Sequence, residues 1–491
     1  MAVTSVEKGN VESGVVQTPV PEIEAPASCI GSRHVQVVML FLLITLGYGM
    51  RVNLSVGIVA MTDPTVNPGM PTYDWDDKPT ILSSFFWGYV IPQIGAGQLA
   101  KTYGPKWFLA VTMFISSLFT ILIPFMAELG SWGVIACRIM QGLAQGFFFP
   151  SSHNLLGKWV PPTERARMGT FVYAGGPFGT VLANPTTGWI SASSLGWPFA
   201  FYIYGAAGLL WCVAWIYLGK NSPSDHKSMD PIERKYIETS LGQVDNKVVP
   251  PTPWKSIVSS LPVWAILIAH SGQNWGFSTL LTNIPTYMGK VLGFDIAHNG
   301  LLSAGPYFAF WVLSFVFSGI TDYVIMNKIV SVAVARKVAN SIGLYVPAAA
   351  LITLGLISDT DSDISDITLV LLFIAVGVNS SCFCGYNVNH IDLSPTHAGT
   401  LMGITNGFSN IFSIIAPLLV QFIVSDEENP QQWAVVFYIA AAVSIAGNTF
   451  FVFFGSGEIQ PWDSIEPNEN TIDPPKEKEM EERKHSNGQR Y

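Results

Sequence analysis

Runs of about twenty mostly apolar residues recur along the chain from Val35 to Phe454, separated by short polar stretches. A helix of about twenty apolar residues crosses the roughly 30 Å hydrocarbon core of a bilayer, so each run is long enough to span it. The pattern predicts an all-α membrane protein with twelve transmembrane helices, at residues 35–61, 80–100, 107–126, 131–150, 166–190, 198–219, 261–288, 299–320, 337–357, 367–388, 397–424 and 433–455.

The spacing of these runs divides the chain into two halves of six spans each. We predict an N-terminal six-helix bundle at 34–219 and a C-terminal six-helix bundle at 261–455. The stretch between them, 220–260, is rich in basic residues and proline, which is typical of a cytoplasmic linker. The polar ends, 1–33 and 456–491, lack apolar periodicity and are predicted to be disordered cytoplasmic tails.

The charged residues fix an orientation. The chain is 49% hydrophobic and only 12% charged, and of its 25 Lys and Arg residues just Arg51 and Arg138 fall inside predicted spans away from the span ends. Apart from Lys78 and Lys290, the remaining basic residues fall on the side of the linker, which the positive-inside rule assigns to the cytoplasm. A net charge of −9 gives no support to nucleic-acid binding. The five cysteines, an odd number without zinc-site spacing, predict neither disulfides nor a metal site.

The two halves share a weak repeat. Similar polar segments follow the second span of each half, beginning at Gly97 and Gly319, and we expect both in loops where glycine lets helices approach closely. Glycine and proline also interrupt the fifth span, at 175–188, and the eleventh, at 403–417. Paired, interrupted halves are typical of transporters that work by alternating access, so the sequence predicts two pseudo-symmetric bundles around a central cavity.

Arg51 and Arg138 carry the strongest functional signal. An arginine at the middle of a span costs about 2.5 to 3.5 kcal/mol, and no Asp or Glu in the N-terminal half lies near mid-membrane to compensate it. A guanidinium that faces an aqueous cavity and binds an oxyanion bidentately explains this imbalance. The alternative is that either side chain reaches an interface or caps backbone carbonyls.

Other polar residues in the spans are candidates for the same cavity. Tyr48 and Asn53 lie within one turn of Arg51, and Asn283 and Tyr287 would line the cavity from the C-terminal half, unless they serve only helix packing. Asn387, His390 and Asp392 end the tenth span, where we assign them to gating. A histidine near a carboxylate is also compatible with a membrane-embedded acyltransferase or hydrolase, but no nucleophile is spaced against this pair.

Several stretches resemble a known family. They are Gly47 to Ser55, Phe85 to Tyr89, Lys158 to Arg165, Asn387 to Pro395 and Glu458 to Trp462. Together they are similar to the anion:cation symporters of the major facilitator superfamily, which include sodium-phosphate cotransporters, sialin and vesicular glutamate transporters. The resemblance implies the major facilitator fold and implicates the arginines of the first and fourth spans, here Arg51 and Arg138, in binding the anion.

Three departures from the family pattern bear on the subgroup. Proton-coupled members have a glutamate where this chain has Gln145, which cannot titrate. The glutamate transporters have a histidine at Leu82 and an arginine at Gln273. The resemblance therefore implies a phosphate-type or organic-anion member, with sodium as the coupling ion in place of the proton.

The sequence as a whole predicts a symporter of small anions, inorganic phosphate or an organic anion, coupled to sodium. The alternatives are a proton-coupled carrier of sialic acid or a glutamate-like anion in lysosomes or vesicles, a membrane-embedded enzyme, and an anion channel. We expect no cofactor beyond the coupling ion, sodium or proton, and as partners only the anion, that cation and the lipid bilayer. Because no retention signal ends the chain and Gln145 replaces the proton-linked glutamate, we expect a multi-pass protein of the plasma membrane, with a lysosomal or vesicular membrane as the alternative.

Overall fold

A computed structural model describes eight segments of the chain, residues 31–62, 64, 69–75, 78–241, 251–292, 296–357, 365–426 and 428–463. Within these residues the N-terminal half contains eight α-helices: α1 Ser32–Thr62, α2 Lys78–Val90, α3 Gln93–Tyr103, α4 Pro105–Ala127, α5 Ser131–Gln145, α6 Phe148–Trp159, α7 Arg165–Ala192 and α8 Trp197–Leu218. The linker contains α9 Pro231–Ser240 and α10 Trp254–Ser259.

The C-terminal half follows the same plan. Its helices are α11 Leu261–Lys290, α12 Ile296–Met326, α13 Val332–Ile357, α14 Ser365–Gly377, α15 Tyr386–Leu393, α16 Ala398–Ile423 and α17 Pro430–Phe454. A 3-10 turn, Val378–Phe383, joins α14 to α15. When α2 is counted with α3, α5 with α6, and α14 with α15, each half provides six spans, as the sequence predicts.

Three of the predicted spans are interrupted helices. Proline breaks the second span at Pro92, Gly146 lies at the break of the fourth, and the 3-10 turn bends the tenth. Within the described residues, seven helices are long and apolar enough to cross a membrane, judged by length and composition alone. The second and fourth spans fall short because each is divided into two short helices.

The helices of the two halves pack in the same pattern. In the first half α1 contacts α7 and α8, α4 contacts α8 and α5, and α2 contacts α5. In the second half α11 contacts α16 and α17, α13 contacts α17 and α14, and α12 contacts α14. These are the same pairs of spans counted from the start of each half, so the internal repeat predicted from sequence is present in the packing.

Two helix pairs dominate the contact between the halves, α7 with α12 and α3 with α16. They too correspond under the repeat, since each joins the second span of one half to the fifth span of the other. Gly97 in α3 allows the second pair to touch, because a Cβ at this position would lie 2.3 Å from the carbonyl oxygen of Gly399. At Gly403 in α16 a Cβ would lie 2.2 Å from the carbonyl oxygen of Gln93. We call these four residues the glycine contact.

The repeated glycine segments differ from the expectation in two respects. Gly97 and Gly319 were expected in loops, but both lie inside helices, α3 and α12, which continue past the predicted ends of the spans. Gly319 also has open space around its Cα, so the predicted close approach holds at Gly97 and is wrong at Gly319.

One end of the bundle gathers the linker and the chain segments next to the tails. Arg33 at the start of α1 forms a 3.0 Å ion pair with Glu233 of the linker, and Lys101 donates a hydrogen bond to Thr252. The backbone N–H of Gln460 donates to Leu393 at the end of α15. We call this end the linker side.

The tails are shorter than the sequence predicts. Ser32 and Arg33 belong to α1, and residues 456–463 pack against the linker side, where Trp462 stacks on His397 and Ser394 hydrogen-bonds Asp463. Disorder is therefore the wrong prediction for these residues, because polar partners hold them to the bundle. The rest of both tails, 1–30 and 464–491, lies outside the described residues.

Candidate anion site

Arg51 lies in a box of four aromatic rings. Its guanidinium carbon is 5.3 Å from the ring centre of Tyr48, 4.8 Å from Phe85, 4.4 Å from Phe86 and 5.5 Å from Tyr89. The rings come from α1 and α2, whose one-turn spacing places them around a single point. Each contact between a cation and a ring contributes about 0.5 to 2 kcal/mol, so the box offsets a cost of burial of similar size while leaving the charge intact.

Arg138 lies beside Arg51 and is 3% exposed. Its Nη1 donates hydrogen bonds to the backbone carbonyl oxygen of Arg51, at 3.1 Å, and to Oε1 of Gln141, at 3.3 Å. Phe85 contacts both cations, since its ring centre is 5.0 Å from the guanidinium carbon of Arg138 as well. The structure thus brings together the two arginines that the sequence singled out.

No carboxylate balances this pair in the part of the chain that the structure describes. The ion pairs there involve other arginines, and the Arg51 guanidinium has ring contacts but neither a hydrogen bond nor an ion pair. The Nε of Arg138 is buried without a hydrogen-bond partner. Two adjacent cations repel, and their planar donors match the oxygens of a carboxylate or phosphate, so the geometry suits an anion that bridges them.

A chain of buried polar side chains supports Arg138 from behind. Gln141 donates to Thr120 at 2.7 Å, and Gln145, one turn further along α5, donates to Ser116 at 3.0 Å. The side chain of Gln145 is thus a neutral amide that hydrogen-bonds from α5 to α4. The structure gives it a packing partner, and a role in coupling stays a prediction.

Asn53 is turned away from the arginine pair. It is fully buried, and its Oδ1 accepts a hydrogen bond from Thr187 of α7 at 3.1 Å. Tyr48, by contrast, belongs to the aromatic box and packs against the backbone of Gly176. Of the two polar neighbours predicted for Arg51, only Tyr48 therefore lies at the guanidinium.

The residues predicted to line the site from the C-terminal half lie elsewhere. Asn283 donates to the backbone oxygen of Thr279, and the ring of Tyr287 packs against Trp433 and Phe437. Asn283 and Tyr287 line one small cavity inside the C-terminal bundle, so these contacts place them in the packing of that half rather than at the arginine pair.

Asn406 of α16 connects the C-terminal half to the aromatic box. Its Nδ2 donates to the hydroxyl oxygen of Tyr89 at 3.1 Å and to Oε1 of Gln93 at 3.1 Å. The sequence pattern gave no sign of this contact, because it depends on how α16 packs against α2 and α3. A change in how the halves pack would therefore act directly on Tyr89, whose ring contacts Arg51.

The gating residues predicted at the end of the tenth span lie where the halves meet on the linker side. Asp392 forms ion pairs with Arg165 of the N-terminal half, at 3.2 Å, and with Arg336 of its own half, at 2.7 Å. All three side chains are at least 96% buried. Asp322 of α12 accepts hydrogen bonds from the backbone N–H groups of Ala166 and Arg167 at the start of α7.

His390 and Asn387 are buried next to this ion-pair network. His390 contacts the backbone carbonyl oxygen of Asn387 through Nδ1, and His153 of the N-terminal half contacts the same oxygen through Nε2. Both residues thus lie at the contact between the halves, and their role in gating stays a prediction. The sequence did not indicate that Arg165, Arg336 and His153 would join them, because their partners come from distant spans.

Comparisons with known proteins agree with this architecture. The Major Facilitator Superfamily matches residues 39–417. A protein named "Putative inorganic phosphate cotransporter" from Drosophila melanogaster is 42% identical over 474 residues, 91% of this chain and 89% of the relative. Sialin from Homo sapiens is 33% identical and covers 94% of this chain and 97% of its own length. For vesicular glutamate transporter 2 from Homo sapiens the identity is 34% and the coverages are 90% and 78%.

Solved structures share the fold. The proton:xylose symporter XylE, bound to 6-bromo-6-deoxy-D-glucose, aligns with a TM-score of 0.67 over 87% of this chain and 97% of its own, at 16% identity. FucP, in the outward conformation, aligns with a TM-score of 0.60 over 85% and 99%, at 14% identity. The chain belongs to the Major Facilitator Superfamily and, within it, to the anion:cation symporters that include sialin and the vesicular glutamate transporters.

Proposed function

We propose that this multi-pass membrane protein is a symporter that carries a small anion by alternating access, with Arg51 and Arg138 as the anion site. The observation that carries the proposal is the pair of neighbouring guanidiniums without a carboxylate partner among the described residues. A bound anion would supply the missing negative charge, and its oxygens would meet the in-plane donors of Arg51 while the rings cover the faces.

The close relatives support an anion as the cargo. Their names specify inorganic phosphate for the Drosophila protein and glutamate for the vesicular transporter. Inorganic phosphate and organic carboxylates present the same oxygen geometry to arginine, so both belong to the proposed substrate class. The aromatic box favours an organic anion in one respect, because rings that surround the charge can also pack against a carbon skeleton.

The coupling ion is part of the proposal. The amide at Gln145 removes one titratable group that proton-coupled members use, which favours sodium, with a proton as the alternative. We propose the plasma membrane as the location, and the linker side as the cytoplasmic side because basic residues concentrate there.

Transport into proteoliposomes tests this function. The purified chain would be offered radiolabelled phosphate, sialic acid or glutamate while sodium and proton gradients are imposed separately. We expect accumulation of at least one anion above its equilibrium level when a cation gradient is present, and uptake that is about 10- to 100-fold slower with Arg51→Lys. Equal movement of anions in both directions without any gradient dependence would instead indicate a channel and overturn the proposal.

A further inference from the structure

Three buried histidines from different spans meet near the linker side. The ring centres of His153 in α6 and His390 in α15 are 5.2 Å apart, and the ring of His270 in α11 is 6.4 Å from His390. None of the three is more than 4% exposed. The anion site does not use them. Histidine is fully buried less often than apolar residues are, so three buried histidines in contact point to a function beyond packing.

The hydrogen bonds fix one donor nitrogen on each of the first two rings. A carbonyl oxygen can only accept, so His153 Nε2, at 3.0 Å, and His390 Nδ1, at 2.8 Å, both donate to the backbone oxygen of Asn387. The other nitrogen of each ring faces a hydroxyl group. His153 Nδ1 contacts Tyr173, and His390 Nε2 lies 2.7 Å from Thr405. When each hydroxyl donates to a ring, both imidazoles are neutral.

The third ring completes the same network. His270 Nδ1 lies 3.4 Å from the Thr405 oxygen, to which it donates when the Thr405 hydroxyl points to His390. A positive charge on His390 would therefore face a neighbouring imidazole instead of a carboxylate. Other groups that face the cluster are uncharged, namely the hydroxyl of Tyr173, the ring of Tyr386 against His270, and the backbone carbonyl of Phe149 near His153.

The ionised group nearest to His390 along the chain is already paired. Asp392, two residues after His390, is held between Arg165 and Arg336. Among the described residues the cluster thus has no counter-ion for an imidazolium, and burying an imidazolium without one is costly. The closed contact between the halves therefore excludes the extra proton.

The cluster also crosses the boundary between the halves. His153 and Tyr173 belong to the N-terminal half, whereas Asn387, His390 and Thr405 belong to the C-terminal half. When the halves part on the linker side, the bond from His153 to Asn387 breaks and water reaches both rings. A hydrated imidazole takes up a proton near pH 6.5, so protonation favours the parted state.

We propose that His153 and His390 form a proton-binding site that unlocks the linker side, so that acid on this side opens the transporter. The inference rests on the alternating-access function proposed above, but it does not depend on whether sodium or the proton drives transport. Each histidine that titrates only in the open state multiplies the ratio of open to closed molecules about tenfold between pH 8 and pH 5.5.

The test measures opening directly and without an anion. Spin labels on genetically encoded residues at Thr102 and Asn327, which are exposed on the linker side of opposite halves, report the separation by double electron–electron resonance in nanodiscs. We expect the open population to rise about tenfold or more as the pH falls from 8 to 5.5. The double variant His153→Gln and His390→Asn keeps the two donors to Asn387 but cannot titrate, and its response should fall below twofold.

The controls separate this site from general effects of acid. His226→Gln changes a linker-side histidine outside the cluster and should retain the full response. If the double variant does not insert, His153→Gln alone is measured, and its response should be clearly weaker than that of the wild type. A wild-type distance that ignores pH, an opening that decreases in acid, or a full response in the variants would each overturn the proposal.

The two proposals fail in different ways. Arg51→Lys should lose anion uptake and keep the pH-dependent opening. If the wild type opens with acid but carries no anion, the proposed function is wrong and the proton site stands. If anions are carried but the distance does not change with pH, the opposite holds.

Discussion

The backbone carbonyl oxygen of Arg51 accepts a hydrogen bond from Nη1 of Arg138, so the two cations of the anion site are joined through the main chain of one of them. This bond spans α1 and α5 and fixes the distance between two side chains that repel each other. A site of this kind is preorganised, because the helices and not the ligand hold the charges together.

Arg51→Lys should reduce anion uptake about 10- to 100-fold while leaving membrane insertion unchanged, since an ammonium cannot donate two parallel hydrogen bonds and charge-assisted bonds contribute about 1.5 to 3 kcal/mol. Initial rates of uptake into proteoliposomes measure the effect. Arg167→Lys is the matched control, because its side chain is 57% exposed and lies outside the site. Wild-type kinetics in Arg51→Lys would contradict the assignment.

Asp392→Asn should loosen the closed linker side. The change leaves Arg165 and Arg336 buried without their carboxylate, an imbalance of about 3 to 5 kcal/mol that hydration in the open state relieves for Arg165. Cys384 is buried close to this network, so its rate of alkylation by N-ethylmaleimide reports the opening, and we expect an increase of tenfold or more. Asp366→Asn, at an exposed position, is the control. An unchanged labelling rate would show that the ion pairs do not hold the halves.

Gly97→Ala should impair transport through sterics alone. The added methyl group would meet the carbonyl oxygen of Gly399 at 2.3 Å, so the halves could not close fully on the linker side. Gly95→Ala is a stringent control because it lies two residues away in the same helix and has open space around its Cα. We expect a loss of at least fivefold in uptake for the first variant alone. Equal activity of the two variants would refute the role of the contact.

Gln145→Glu tests the meaning of the missing carboxylate. A glutamate at this buried place, next to Ser116, would add a titratable group within reach of Arg138 through Gln141. We expect uptake to gain a dependence on the proton gradient that the wild type lacks. The measurement compares accumulation under a proton gradient with accumulation under a sodium gradient. A wild type that accumulates anions only with protons would instead show that another group carries them.

The hydrophobic pattern was sufficient to predict the architecture. Twelve spans in two sets of six follow from run length, and the arginine pair follows from the cost of an unpaired charge in lipid. The hydrophobic pattern could not predict contacts between spans, because nothing local in the sequence links Asn406 to Tyr89 or Arg165 to Asp392. Tyr287 illustrates the limit well. Its polar group and its place in a cavity-forming span suggested the site, but helix rotation directs its ring into the packing of the C-terminal bundle.

The glycine contact has a consequence for speed. Where α3 meets α16, backbone lies against backbone, and three of the four residues in contact, all but Gln93, are glycines without a rotatable side chain. Separating such surfaces releases almost no rotamer freedom, and bringing them together again costs almost none, in contrast to a contact made by long side chains. At this contact the halves can therefore separate and come together again with few side chains to re-order in each transport cycle.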